Sequence, residues 1–229
     1  MNDLCVVFDI DDTLYPERDY VRSGFRAVGA WAERWLGIGD FSEACRIEFE
    51  AGRRSTIFNQ VLASSGIEPT PELIAGLVEL YRTHEPCIQL ASDTSRMFTE
   101  ISGRYPVAVV SDGPLTSQSR KADALGLRLI ASPVLLTEIF GQEFRKPHTR
   151  AFHEVASLVP ARHYVYAADN PAKDFIAPHD LGWTTVRIRR PGGLHYSVET
   201  LTGAPPDFEF PDCSPLAAVF AEIRKQRVP

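Results

Sequence analysis

The sequence predicts an α/β protein in which a parallel sheet is covered by helices on both faces and a bundle of helices is inserted after the first strand. Three observations carry that prediction. Residues 4–8, Leu-Cys-Val-Val-Phe, form a short unbroken apolar run, the pattern of a strand buried on both faces. Apolar residues then recur at three- and four-residue steps from about 20 to 84. Beyond Pro86, strand-like and helix-like segments alternate.

Taken in order, the insertion opens with Val21, Phe25, Val28, Trp31 and Trp35, continues over 41–49, and resumes through Ile57, Val61 and Leu62. A fourth helix is expected to start at Pro69-Thr70-Pro71-Glu72, where Thr70 can cap and Pro71 suits the first turn, with Leu73, Leu77 and Leu80 as its apolar positions. Downstream, 107–110 reads as a strand, 115–125 as a helix ended by Gly126, 127–130 as a strand and 150–158 as a helix. A strand at 164–168, a helix at 173–181 closed by Gly182 and a strand at 184–188 complete the series. The result is a Rossmann-like core of residues 1–15 and 85–229 with a helical insertion at 16–84. Such sheets bind ligands beyond the carboxyl ends of their strands, so the functional polar residues should follow strands.

Composition narrows the possible partners. A chain of 229 residues, 44% hydrophobic and 24% charged, is an ordinary globular protein with length enough for a core. Its 24 Lys and Arg against 30 Asp and Glu give a net charge of −6, and no basic block is present. That balance argues against a nucleic-acid polymer or an anionic membrane as partner. An anionic substrate would need a local cation. Cys5, Cys45, Cys87 and Cys213 are dispersed and make no Cys-x-x-Cys pair, which reads as four free thiols in a reducing, cytoplasmic setting. No signal-like or membrane-spanning apolar run is seen.

The chemistry-bearing residues do follow strands. The first strand runs into Asp9-Ile10-Asp11-Asp12-Thr13, and carboxylates so close repel one another unless a cation or a proton relieves them. With no His or Cys beside them, a hard divalent cation with oxygen ligands fits better than zinc. The next strand ends in Ser111-Asp112-Gly113, where a hydroxyl and the main-chain N–H groups after it, freed by the glycine, make an anion cradle. Lys146, before Pro147, is a point charge suited to a phosphate. Asp169 and Asp174 follow the strand at 164–168, completing a cation site or capping the helix that Pro171 opens. Each motif alone also reads as a turn or a cap; the ordered set does not.

In order and spacing, Asp9-x-Asp11-x-Thr13, then Ser111, then Lys146 before a proline, then Asp169 with Asp174, the sequence resembles the haloacid dehalogenase superfamily of aspartate-nucleophile phosphohydrolases. The resemblance covers most of residues 4–188, and the insertion resembles the family's helical cap. It implies that Asp9 is the nucleophile, forming an aspartyl-phosphate, and that Asp11 is the general acid and base. It implies a magnesium ion held by Asp9, the main-chain carbonyl of Asp11, and Asp169. Ser111 and Lys146, with the main chain at Asp112 and Gly113, would hold the phosphoryl group. Asp174 and Thr13 would support these groups from behind, and Asp12 would shape the main chain.

The family's phosphatases and phosphomutases carry an aspartate two positions after the nucleophile, and its dehalogenases do not. Asp11 therefore implies hydrolysis of a small phosphate monoester, a sugar phosphate or nucleoside monophosphate. A phosphomutase and a phosphoaspartate signalling protein are the alternatives. Ala168 departs from the glycine often found before the metal aspartate. Within the insertion, Arg22, Arg53 and Arg54 are candidates to meet an anionic group, and Phe25, Trp31, Trp35 and Phe58 to stack on a substrate. Aromatics at helical spacing are more often a bundle's own core. Arg187, Arg189 and Arg190 are expected in an exposed basic loop near the pocket rim.

Overall fold

The first apolar run becomes the middle of the sheet. The structure, a computed structural model, describes residues 2–199 and 204–227. Its strands are β1 (Asn2–Phe8), β2 (Val107–Ser111), β3 (Val134–Leu136), β4 (Ala161–Ala168), β5 (Thr184–Ile188) and β6 (Phe208–Phe210). They lie in the order β3-β2-β1-β4-β5-β6, every pairing parallel. The order reverses at β1, so the carboxyl ends of β1, β2 and β4 form the crevice where a doubly wound sheet binds ligands. Register fixes the neighbours there, with Phe8 opposite Val109 on one side and Ala167 on the other.

The helices are α1 (Glu17–Leu36), α2 (Phe41–Glu50), α3 (Ile57–Ser64), α4 (Pro71–Thr83), α5 (Ser92–Ile101), α6 (Leu115–Ala124), α7 (Leu127–Ile130), α8 (Arg150–Leu158), α9 (Ile176–Asp180) and α10 (Leu216–Arg227). One sheet face packs on α5 and α10, where the Phe8 ring meets Phe98 and Phe220 edge-on at centroid distances of 5.4 and 6.2 Å. The other face packs Cys5, Val7, Val110, Tyr166 and Ala168 against Phe152 and Val155 of α8 and Ala177 of α9. Among the described residues, no helix is long and apolar enough to cross a membrane.

The chain divides into two compact units, Met1–Arg18 with Ile88–Pro229, and Asp19–Cys87. The second is all helical. Phe25 and Phe58, two of the residues considered for substrate stacking, are buried in its own core beside Phe41, Phe49 and Tyr81. A Cβ at Gly24 would run into the Tyr81 ring, so the glycine lets α1 and α4 approach closely. Thr70 caps α4 as expected, its Oγ1 accepting the Leu73 N–H at 3.3 Å.

Three elements differ from the sequence reading. Residues 127–130 are a helical turn and not a strand: Gly126 takes a left-handed φ of 66°, and the N–H groups of Leu129 and Ala131 bond back to Gly126 and Leu127. The third strand instead comes after Pro133, where Val134–Leu136 pairs with Val109–Ser111. The helix expected at 173–181 starts later, at Ile176, because a turn built on the Asn170 carbonyl takes up Lys173 and Asp174. Helix α5, strand β6 and helix α10 have no counterpart in that reading.

Candidate active site

The strand β1 hands the chain directly to Asp9, whose N–H donates to the Ala167 carbonyl at 2.9 Å and so extends the ladder by one residue. Asp12 then turns the chain in a left-handed conformation, φ 50°, which Asp tolerates better than most residues. Its carboxylate fixes that turn by accepting the Glu17 N–H at 2.9 Å and the Leu194 N–H at 2.6 Å. The Thr13 carbonyl accepts two bonds from Arg190, at 3.1 and 2.8 Å, while its own buried hydroxyl has no partner among the described residues.

Lys146 lies at the centre of the site. Its Nζ, almost wholly buried, donates to Asp9 Oδ1 at 2.8 Å and to the Tyr166 hydroxyl at 3.0 Å, and makes an ion pair with Asp174 Oδ1 at 2.7 Å. Burial opposes its charge, but Asp174 and Asp9 outweigh burial and hold the lysine well above its ordinary pKa. Asp112 holds the loop that delivers this lysine. Its Oδ1 accepts the Thr137 hydroxyl at 2.7 Å and the Lys146 N–H at 3.2 Å, and its Oδ2 accepts Lys173 Nζ at 2.8 Å.

Asp9, Asp169 and Asp174 each offer a carboxylate oxygen within 4.8 Å of the others, all buried. Among the described residues, no hydrogen-bond donor reaches the Asp169 carboxylate. Burial, then Asp174 and Asp9, push its pKa well above the usual carboxylate range. Burial also raises Asp9, to about 6, despite Lys146. Partly buried Glu17 is pushed up to about 8 by desolvation and by Asp11. An all-oxygen set with more negative charge than Lys146 can balance fits a hard divalent cation. Both oxygens of Asp174 are already engaged, Oδ1 by Lys146 and Oδ2 by the Asn170 N–H at 3.0 Å, which leaves Asp9 and Asp169 as the more available ligands.

The Asp11 side chain faces a different set of partners. Oδ1 accepts the Tyr15 hydroxyl at 2.6 Å, Oδ2 accepts Gln118 Nε2 at 2.9 Å, and Lys121 Nζ donates to both oxygens at 2.7 and 2.8 Å. Burial works against this charge, but Lys121 and the hydrogen bonds outweigh it and hold Asp11 below its ordinary pKa. Ser111 joins the same group, its Oγ donating to Gln118 Oε1 at 3.4 Å. Gly113 lies against this amide at φ 139°, and a Cβ there would be 2.7 Å from Gln118 Nε2.

The structure therefore links Asp9, Lys146, Asp174 and Asp112 through one set of contacts and Asp11 with Ser111 through another, with Asp169 beside the first. Residues the sequence reading missed are Tyr15, Gln118, Lys121, Tyr166 and Lys173. One signal for Gln118 and Lys121 was available, since they stand three apart on the helix after Ser111 where an inward face should be apolar. The basic stretch needs correction. Arg187 is only 1% exposed, bonding the carbonyls of Asp169, His195 and Val198. Arg190 is bound to Asp93 and Thr13. Both guanidiniums are held by the fold's own acceptors, as buried charge requires, but Arg189 and Arg190 do line a small pocket with Asp12 and Asp169. In the helical unit, Arg22 pairs with Asp19, Arg53 with Glu48, and Arg54 covers the Phe49 ring at 4.0 Å. Trp35 is exposed, and Trp31 lines a groove with Leu73 and Leu77.

Comparison with known proteins gives concordant matches. A sequence model of haloacid dehalogenase-like hydrolases matches residues 4–182. A glyceraldehyde 3-phosphate phosphatase of Methanopyrus kandleri is 28% identical over 232 residues, covering 96% of this chain and 98% of that protein. The protein of the same name from Methanocaldococcus jannaschii is 26% identical over 193 residues, with coverage of 80% and 83%. Among solved structures, the HAD-hydrolase YfnB of Bacillus subtilis bound to magnesium superposes with a TM-score of 0.65 at 15% identity, covering 96% of this chain and 99% of that one. The L-2-haloacid dehalogenase of Xanthobacter autotrophicus gives 0.61 at 17% identity, with coverage of 97% and 99%. At these identities the structural matches speak to fold alone.

Proposed function

The chain belongs to the haloacid dehalogenase-like hydrolase family, and from that premise we propose that it is a phosphatase that hydrolyses a small sugar phosphate through an aspartyl-phosphate on Asp9. The observation that carries this reading is the buried meeting of Asp9, Asp169 and Asp174, with Lys146 bound to Asp9 and Asp174 and with Asp11 two residues beyond Asp9. Lys146 holds one oxygen of Asp9 and so limits the directions from which the carboxylate can attack phosphorus. Asp174 faces the same lysine and keeps it charged and in place.

In the first half-reaction a carboxylate oxygen of Asp9 bonds to phosphorus, the bond to the leaving oxygen breaks, and Asp11 gives that oxygen a proton. In the second, Asp11 takes a proton from water, the water oxygen bonds to phosphorus, and phosphate leaves with Asp9 restored. Ser111 and Lys146, with the main chain at Asp112 and Gly113, hold the transferring group. Asp9, Asp169 and the main-chain carbonyl of Asp11 would hold a magnesium ion, which when bound supplies positive charge opposite the phosphoryl oxygens. A halide leaving group needs no proton, so an acid at Asp11 favours phosphate ester over haloacid as substrate. The names of the two archaeal relatives make glyceraldehyde 3-phosphate the first compound to test.

The test is phosphate release from glyceraldehyde 3-phosphate, other sugar phosphates, nucleoside monophosphates and a 2-haloacid control, with and without magnesium. Magnesium-dependent release is expected, falling at least about 10³-fold in Asp9→Asn. Unchanged turnover in that variant, or full turnover in chelator, would sink the reading.

A further inference from the structure

The Asp11 carboxylate receives four hydrogen bonds from three side chains, and two of those side chains stand on one helix. Gln118 and Lys121 occupy neighbouring turns of α6, both 3% exposed, on the face turned into the protein. Burying a lysine and an amide on an inward face is unfavourable unless their donors are used, and here both are used on the same carboxylate. Gln118 also accepts from Ser111 Oγ at 3.4 Å, so one amide connects the end of β2 to the turn after β1. The bare Cα of Gly113 is what lets the loop close over that amide.

We propose that Lys121 and Gln118 are positioning residues for proton transfer: anchored on α6, they hold the Asp11 carboxyl in one orientation and keep it in register with Ser111. The inference rests on the reading of Asp11 as the general acid: Lys121 favours the carboxylate that is left as the proton departs, and so supports the product side of the transfer. The step at stake moves a proton from the Asp11 carboxyl to the leaving oxygen as its bond to phosphorus breaks and the bond from Asp9 to phosphorus forms. Loss of the bracket leaves the acid present and its aim poor. Its effect should therefore scale with how much the leaving oxygen needs the proton, being large for an alkyl phosphate and small for p-nitrophenyl phosphate, whose phenolate leaves unaided.

The experiment measures kcat/KM for both esters in the wild type, Lys121→Met, Gln118→Leu, Lys121→Arg and Asp11→Asn, with magnesium binding followed by calorimetry and folding by circular dichroism. Lys121→Met and Gln118→Leu should lose roughly tenfold to a hundredfold on the alkyl ester, as misplacement of a reacting group does. Their loss on the aryl ester should stay within about threefold, magnesium affinity should hold, and Lys121→Arg should recover part of the alkyl activity. Equal losses on both esters in folded variants overturn the proposal while leaving Asp11 its role. Should Asp11→Asn itself lose equally on both, the acid assignment falls and the proposal with it. Gln118→Leu, neutral for neutral and close in size, decides the matter if Lys121→Met does not fold.

Discussion

Asp169 shows how a residue that burdens the fold can be the one proposed to hold a cation. Its carboxylate is nearly buried, meets no donor among the described residues, and has Asp174 and Asp9 as neighbours of like charge. Replacing it by asparagine removes the repulsion and adds a donor. Asp169→Asn is therefore expected to stabilise the cation-free protein by roughly 0.5–2 kcal/mol and to abolish the stabilisation that magnesium, bound as proposed, would give the wild type. Thermal melts with and without magnesium check both halves; a less stable variant, or one that magnesium still stabilises, contradicts the account. At this scale the sequence was informative about the acidic residues, because carboxylates after a strand stand out locally. It was mute about Tyr166 and Lys173, whose hydroxyl and ammonium look like ordinary core and surface groups until Lys146 and Asp112 are seen beside them.

Among the elements, β5 does more than its five residues suggest. Arg187 donates from this strand to the Asp169 carbonyl at 3.3 Å and to the His195 and Val198 carbonyls at 2.9 and 2.7 Å, and pairs with Glu209 on β6 at 3.2 Å. It thereby ties the turn after β4 to the segment whose Leu194 N–H restrains Asp12. Arg187→Met should strip these carbonyls of their donor and lower stability by about 3 kcal/mol, on the order of 10 °C in Tm. Glu209→Gln, at the half-exposed edge, should change Tm far less. Equal effects would mean that the edge ion pair, and not the buried bonds, is what matters. Unbroken apolar runs marked β1, β2 and the end of β4, and periodicity found α1 to α4, whose apolar steps repeat over two turns or more, but not α5 or α10. It failed for the three-residue strands β3 and β6, where no period can develop, and at 127–130, where an apolar run was closed into a turn by Gly126.

Over the whole molecule the net charge of −6 is unevenly spread, and the crowding of carboxylates at the strand ends sets a pH dependence. Asp9 at about 6, Glu17 at about 8 and Asp169 well above its ordinary value all bind protons more tightly folded than unfolded. The native state then holds more protons than the unfolded state, so cation-free stability falls as pH rises from about 5 to about 8. Asp11, Asp93 and Asp112 are shifted the other way, and their contribution is lost only as pH drops below about 4. A magnesium ion held by Asp9 and Asp169 as proposed would compete with the protons, so its stabilising effect should grow over the same rise. Melts in chelator and in magnesium across this range test the pair of trends; a flat cation-free Tm, or a magnesium effect that shrinks with pH, would refute them.

By itself the sequence determined the α/β class, the parallel alternation after Pro86 and the acidic residues at the strand ends, since each is written in neighbouring residues. The tertiary structure decided their partners. Lys121 and Gln118 come to Asp11 from 110 and 107 residues away, and Arg187 is buried and not on a loop, because packing between distant segments, and no local pattern, sets which polar groups leave water together.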